Sequence, residues 1–265
     1  MLSPLYGQLS PLRVPTTMRF ISNDADVVAY VLAVEAADGQ RLEDGVISAY
    51  DSFISGCKTD SIWTAIKASC ILAGARTLSG ALVPLVGTAP TNNNFVSGDY
   101  NRETGLLGNG STKYLNANRN TNLEPQDSYH HSIYVYAAPS ITVTRSFIGL
   151  TTSPHSFLDS ATTSSLSSRL RSSSSKSVGG QATTLGFKGQ SRSTSTSYTI
   201  RSGGSNFAQS QVSSITPSSA TEVFRRGGSP TDARLSFYSI GESIDLAKLD
   251  TRVSTLMTDL AAAIP

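Results

Sequence analysis

At 265 residues, with 21 Lys and Arg against 19 Asp and Glu, the chain has room for one large or two small domains and a formal charge of only +2. Charged residues make up 15% of it, against roughly 25% in an average globular protein, so Ser and Thr hold much of the surface. This excludes nucleic-acid binding driven by net charge. The longest apolar stretch, Ile66 to Val86, is broken by Lys67 and Arg76, so no membrane insertion is expected, and two cysteines are too few for a disulfide framework or a four-ligand zinc site.

Residues 1–23 read as an extended arm, because Pro4, Pro11 and Pro15 recur among Leu2, Leu5, Tyr6, Leu9, Leu12 and Val14. The arm either lies along a neighbouring subunit, with Leu5, Tyr6, Leu9 and Leu12 as contacts, or packs on its own domain. Its first residues lack a basic segment followed by an apolar one, so no secretory leader is expected. Residues 24–77 read as a small helical region. Asp24 caps a first helix carrying Val27, Val28, Val31 and Val34, which stops at Gly39. A second helix carries Leu42, Val46, Tyr50, Phe53 and Ile54 and stops at Gly56. Asp60 or Ser61 caps a third with Ile62, Trp63, Ile66, Cys70 and Ile71, ending at Gly74. So small a helical core is expected to lean on the following domain or on another subunit.

From Leu78 the apolar period becomes two. Residues 81–86 read as a short edge strand with Pro84 in it, and Asn109-Gly110 as a hairpin turn. Strands are predicted at 131–137, 146–150, 183–187, 197–201, 222–225 and 234–240, separated by Gly, Pro, Ser or Asn. Many short strands with regular turn signals indicate a sandwich or barrel over 78–265. A helix over 243–263, capped by Ser243, closes the chain. Its Leu246, Leu249, Val253, Leu256 and Leu260 form a heptad seam. That seam serves either the helix's own domain or self-association, with Leu249, Val253 and Leu256 as subunit contacts. The fold class expected is therefore α+β: an arm and helices, then an antiparallel β-sandwich with a terminal helix.

The run Val96-Ser-Gly-Asp-Tyr-Asn-Arg-Glu-Thr-Gly-Leu-Leu-Gly-Asn-Gly-Ser-Thr-Lys-Tyr-Leu-Asn116 resembles the opening of a concanavalin A-like (laminin-G-like) jelly roll. The strands around His131–Ala137, Ser197–Gly204 and Ala233–Glu242 follow in an order similar to that family's. The whole chain, with its Leu-Tyr-Gly-Gln-Leu arm, resembles a group of tailed-phage virion proteins. The resemblance implies a virion component, a capsid decoration, tail or fibre protein assembled in the host cytoplasm, with a glycan-facing surface among its expectations.

Chemistry is sparse along the chain. Gly105-Leu-Leu-Gly-Asn-Gly110 has the spacing of a phosphate loop but is followed by Ser111 instead of Lys. Glycoside hydrolysis needs two carboxylates about 5–9.5 Å apart; Asp99 and Glu103 form the nearest pair and read better as turn caps or partners of Arg102. His130 and His131 are adjacent, so on a strand they face opposite ways, and His155 stands alone. No catalytic residue, metal site or cofactor is expected. Residues 151–230 hold eight basic side chains against Asp159 and Glu222. Arg169, Arg171, Lys188, Arg192 and Arg201, with Tyr198, are therefore candidates for contact with a glycan or polyanion, the alternative being solvated side chains that protect strand edges. The function expected is that of a non-enzymatic virion structural protein, binding other capsid or tail proteins and itself as a homo-oligomer, with a trimer among the open states. The alternatives are a glycan-binding adhesin or host-receptor-binding module, which would engage a cell-surface glycan or receptor through the sandwich, and, weakest, a polysaccharide-degrading enzyme.

Overall fold

The computed structural model describes residues 21–150, 152, 156–215 and 217–265. Most of the predicted arm lies outside the described residues, with its candidate contacts Leu5, Tyr6, Leu9 and Leu12, and so does His155.

Helix α1 (Ala25–Asp38) begins where Asp24 accepts a bond from the Asp26 amide at 2.9 Å and ends at Gly39, whose φ of 67° needs no Cβ. Helix α2 (Asp44–Thr59) runs straight through Gly56. That glycine marks a crossing instead of an end, since a Cβ there would stand 2.6 Å from the Arg252 guanidinium. The predicted third helix is corrected to a single 3₁₀ turn, Trp63–Ala65, followed by strand β1 (Ile66–Ile71). The strand is buried on both faces: Ile66 and Ile71 meet the helices, while Ala68 and Cys70 enter the sandwich. A strand apolar on both sides loses its alternation and cannot be told from a buried helix by periodicity. The predicted strand over 81–86 is likewise corrected. Helix α3 (Leu78–Ala81) takes its start, and beyond Pro84 only Val86 joins a sheet, by a lone bridge to Ser69.

The chain continues through β2 (Thr91–Asn93), β3 (Tyr100–Asn101), β4 (Gly105–Leu107), β5 (Tyr114–Asn120), β6 (Tyr129–Ala137) and β7 (Arg145–Gly149). Then come β8 (Phe157–Ser160), β9 (Leu166–Arg169), β10 (Lys176–Val178), β11 (Gly186–Arg192) and β12 (Ser197–Ser202). The last are β13 (Ser205–Ser210), β14 (Ala220–Val223), β15 (Arg234–Gly241) and helix α4 (Leu246–Ala263). Among the described residues these make two antiparallel sheets. One has eight strands in the order β13-β12-β11-β6-β15-β4-β3, with β1 also paired to β15; the other has seven, β10-β9-β8-β7-β14-β5-β2. The α+β sandwich is as expected. Asn109-Gly110, however, joins β4 of one sheet to β5 of the other, so it is a crossover turn and not a hairpin. Asn109 Oδ1 holds the turn by accepting from the amides of Ser111, Thr112 and Lys113.

One apolar cluster fills the space between the sheets, with Leu106, Leu115, Ile133, Phe147, Leu158, Ile200 and Tyr238. A second joins α1, α2 and α4 to the outer face of the eight-stranded sheet, where Phe53 of α2 meets Phe237 of β15 edge-on at 5.7 Å. The helical region and the sandwich thus share a core. Helix α4 starts at Asp245, whose side chain accepts from the Ala247 and Lys248 amides, and not at Ser243. Its seam is spent inside the molecule: Leu249, Val253 and Leu256 are buried beside α2 in that second cluster. This corrects their assignment as subunit contacts.

Candidate functional site

Strand β11 points Lys188, Gln190 and Arg192 into the sandwich, and all three are fully buried. Lys188 Nζ donates to the Gln181 carbonyl at 2.6 Å and to Ser202 Oγ at 3.1 Å, and burial pulls its pKa down to about 7. Arg192 donates to the carbonyls of Leu170, Thr194, Ser197 and Gln211. Arg171 lies 4.2 Å from the centroid of the Tyr129 ring and donates to the carbonyls of Thr121, Glu124 and Pro125. Tyr198 is buried against Ser168. Four of the predicted glycan or polyanion contacts, Arg171 and Lys188 with Arg192 and Tyr198, are therefore interior ties between loops and sheets, closed to any ligand in the folded chain. Sequence misplaces them because Phe187, Gly189 and Ser191 face helix α4, so the polar residues of β11 turn inward.

Arg169 and Arg201 stay half-buried on the surface, on opposite sheets. Arg201 pairs with Asp250 of α4 at 2.7 Å and donates to Asn206 Oδ1 at 3.0 Å. Asp99 pairs with Lys113 and accepts from the Val96 amide, while Arg102 pairs with Glu43 instead of Glu103, so Asp99 and Glu103 form no acid pair. His130 and His131 face opposite ways. His130 sits between the Glu242 carbonyl and Ser239 Oγ, and His131 Nε2 takes a bond from Gln190 Nε2. Burial pulls them down to about 4 and about 3. Among the described residues, no three His, Cys, Asp or Glu side chains are grouped to hold a metal ion. Both cysteines are buried free thiols, Cys70 on a strand instead of a helix.

Beside Arg201 the outer face of β11, β12 and β13 meets the start of α4 in an open groove of about 390 Å³. Ser191, Ser193, Thr199 and Asn206 line it from the sheet, and Ser243, Ile244, Asp245 and Leu246 from the helix side. Register explains the sheet wall: Ser191 pairs with Thr199, and Arg201 with Asn206, so all share one face. Part of this polar lining is structural. Ser191 Oγ accepts from the Ile244 amide at 2.9 Å, and Ser243 Oγ meets Ser128 Oγ at 3.2 Å. The Ser193 and Thr199 hydroxyls, Asn206 Nδ2 and Asp245 Oδ2 make no hydrogen bond among the described residues and face the opening. Sequence reading missed these residues. Their only signal is the run Ser193-Thr-Ser-Thr-Ser197 and the Gly203-Gly204 turn that folds Asn206 back across from Arg201, and neither has a chemical spacing.

No protein-family model matches the chain, and no curated protein matches it in sequence. Among solved structures it is similar in fold to the Trypanosoma rangeli sialidase in complex with 2,3-difluorosialic acid, a covalent intermediate, with a TM-score of 0.53 and 8% identity over 89% of this chain and 38% of that one. A mutant of the same sialidase displaying trans-sialidase activity matches with a TM-score of 0.51 and 10% identity, over 82% and 39%. Domain 4 of AbnA, an extracellular arabinanase from Geobacillus stearothermophilus in complex with arabinotriose, gives 0.42 and 12%, over 63% and 82%. The chain spans about two-fifths of the length of those two sialidase chains. At these identities the likeness is one of fold. The expectation of a non-enzymatic virion structural protein is corrected here: the two solved chains matched above a TM-score of 0.5 are sialidases, and the fold offers no ground for a place in a capsid, tail or fibre.

Proposed function

We propose that the chain is a glycan-binding module, holding a saccharide in the groove between β11–β13 and the start of α4 without cleaving it. The observation that carries this reading is the lining of that groove. Hydroxyls, an amide and a carboxylate with unspent hydrogen-bonding capacity converge on about 390 Å³ beside the apolar edges of Ile244 and Leu246. A sugar ring offers the complement, hydroxyls round its rim and C–H groups on its faces, and the volume falls within the range of small-molecule sites. Binding without hydrolysis follows from the acid count. Among the described residues Asp245 is the one carboxylate lining the groove, its neighbour Asp250 is tied to Arg201, and no tyrosine lines it, whereas most glycoside hydrolases use two placed carboxylates and sialidases a tyrosine nucleophile. Cell-surface glycan is the partner this reading names.

The test is a glycan array probed with the full chain, followed by calorimetry on the best saccharide. Thr199→Val and Asn206→Ala are expected to weaken binding at least tenfold while leaving the unfolding midpoint in place. No binding at millimolar saccharide, or binding that ignores both substitutions, overturns the reading. Release of shortened sugars during a long incubation would overturn its non-catalytic part.

A further inference from the structure

The outer face of the seven-stranded sheet lies on the opposite side of the sandwich from the groove. Its register lines up one row across the sheet. Arg169 of β9 pairs with Phe157 of β8, Phe157 with Gly149 of β7, Gly149 with Glu222 of β14, Glu222 with Asn116 of β5, and Asn116 with Thr91 of β2. Directly paired residues share a face, so these six cross five strand spacings, about 24 Å. The loop after β14 lays two arginines on this row. Arg225 stacks 3.3 Å from the Tyr114 ring centroid and pairs with Glu222 at 2.6 Å. Arg226 lies 4.2 Å from the Phe157 ring centroid and pairs with Asp159 at 2.6 Å. Between them Gly149 adds no side chain, and a Cβ there would strike Phe157 Cβ at 2.7 Å.

The charges on this face do not cancel. Arg225 is matched by Glu222, and Arg226 by Asp159. Arg169 stands directly across from Phe157, whose ring carries Arg226, and no carboxylate among the described residues lies within ion-pairing distance of it. Its Nη2 donates to the Ser173 carbonyl, its Nε is buried without a partner, and its Nη1 makes no hydrogen bond among the described residues. Burial, and then the neighbouring charge of Arg226, hold its pKa below the usual arginine value, the mark of a guanidinium whose surroundings supply too little negative charge. Guanidinium forks grip carboxylate and sulfate oxygens in pairs, which a lone ammonium cannot do.

We propose that Arg169 and Arg226 form a second binding site, one that takes the carboxylate or sulfate group of an acidic polysaccharide whose chain lies along the row toward Asn116 and Thr91. A polysaccharide fits this face better than a small free anion. The row is long, and though Phe157 and Gly149 in its middle are buried, beyond the arginines it continues in a half-exposed amide and an exposed hydroxyl, which match neutral parts of a sugar chain.

The experiment is affinity electrophoresis of the full chain through gels holding polygalacturonate, dextran sulfate or uncharged dextran, with inorganic sulfate as competitor. The two acidic polymers separate carboxylate from sulfate recognition. Retardation by at least one acidic polymer and none by dextran is expected. Arg169→Gln is expected to weaken it at least tenfold, and Arg169→Lys to restore only part of it, because charge returns without the fork. Because Arg226→Gln also removes the ion pair with Asp159, its unfolding midpoint is measured beside its mobility. Lys176→Gln and the groove variant Asn206→Ala are expected to leave retardation unchanged. Equal retardation by dextran, full retention in Arg169→Gln, or an equal loss in Lys176→Gln would overturn the site. So would competition by inorganic sulfate alone with no polymer binding, which marks an adventitious ion only. Since Asn206→Ala acts on the opposite face, failure of one site leaves the other standing.

Discussion

Ser168 of the seven-stranded sheet and Gln190 of the eight-stranded sheet are joined across the sandwich, Ser168 Oγ donating to Gln190 Oε1 at 2.5 Å. The Gln190 amide nitrogen in turn shares its two hydrogens among the carbonyls of Phe157 at 3.0 Å and Arg169 at 2.9 Å and the His131 ring. One side chain thus ties β6, β8, β9 and β11 together in the interior, where a polar atom without a partner is costly.

Replacing Gln190 by Leu keeps roughly the volume but removes its bonds to Ser168, Phe157, Arg169 and His131, of which Ser168 keeps Tyr198. Leaving buried groups unsatisfied costs about 1–3 kcal/mol each, partly recovered by relaxation, so a loss of about 2–4 kcal/mol is expected. Urea unfolding measures it. A loss under about 0.5 kcal/mol would show that water or a shifted backbone meets these groups as well as Gln190 does.

The two buried histidines set the acid side of the stability profile. Burial, with the neighbouring charges of His130 and Arg171 at His131, holds both well below the ordinary 6.5. As pH falls below 6.5 the unfolded chain takes up protons that the folded chain refuses until about 4 and about 3, so stability falls on acidification. Lys188 acts in the alkaline window. Its pKa is about 7 folded against 10.5 unfolded, so stability rises with pH between those values. Unfolding midpoints taken from pH 7 down to 5, above most carboxylate titration, are expected to drop, and less steeply in His131→Gln. A flat profile there would mean that both imidazoles accept protons in the folded state.

How much of this was readable beforehand depended on whether one face of an element was wet. Helix α1 has a polar face and a named cap, so Asp24 and Gly39 bound it correctly. Strands β6, β12 and β15 were found because β-branched and aromatic residues alternate along them. The pattern misleads where both faces are covered. Strand β1, between helices and sandwich, read as a helix. Strand β11 hid its basic residues behind a surface-like composition, since helix α4 takes its small side. The candidate sites were less legible still. The groove needs a strand face, a hairpin return and a helix start, and the Arg169 row needs six strands in register, so only the pairing reveals either.

Cys57 and Cys70 are both pushed up to about 12 by burial, so neither is a thiolate at neutral pH. The folded protein is expected to resist maleimide for hours at pH 7.5, and the urea-unfolded protein to label at both positions within minutes. Fast labelling of one thiol in the folded chain would expose local opening, at α2 if Cys57 reacts or at β1 if Cys70 does.

The seam of α4 decides between a helix that serves its own domain and one that recruits copies. Leu249, Val253, Leu256 and Leu260 are at most 1% exposed, and Arg252 fixes the crossing by reaching past Gly56 to pair with Asp60 at 2.7 Å. Truncating a buried Leu removes its burial and leaves a cavity, about 2–5 kcal/mol together. Leu256→Ala is therefore expected to lower stability by that amount while the elution volume of the folded protein stays that of wild type. If the substitution instead dissociates an oligomer and leaves monomer stability unchanged, the seam works between chains, and the packing of α4 on α2 is not what holds it.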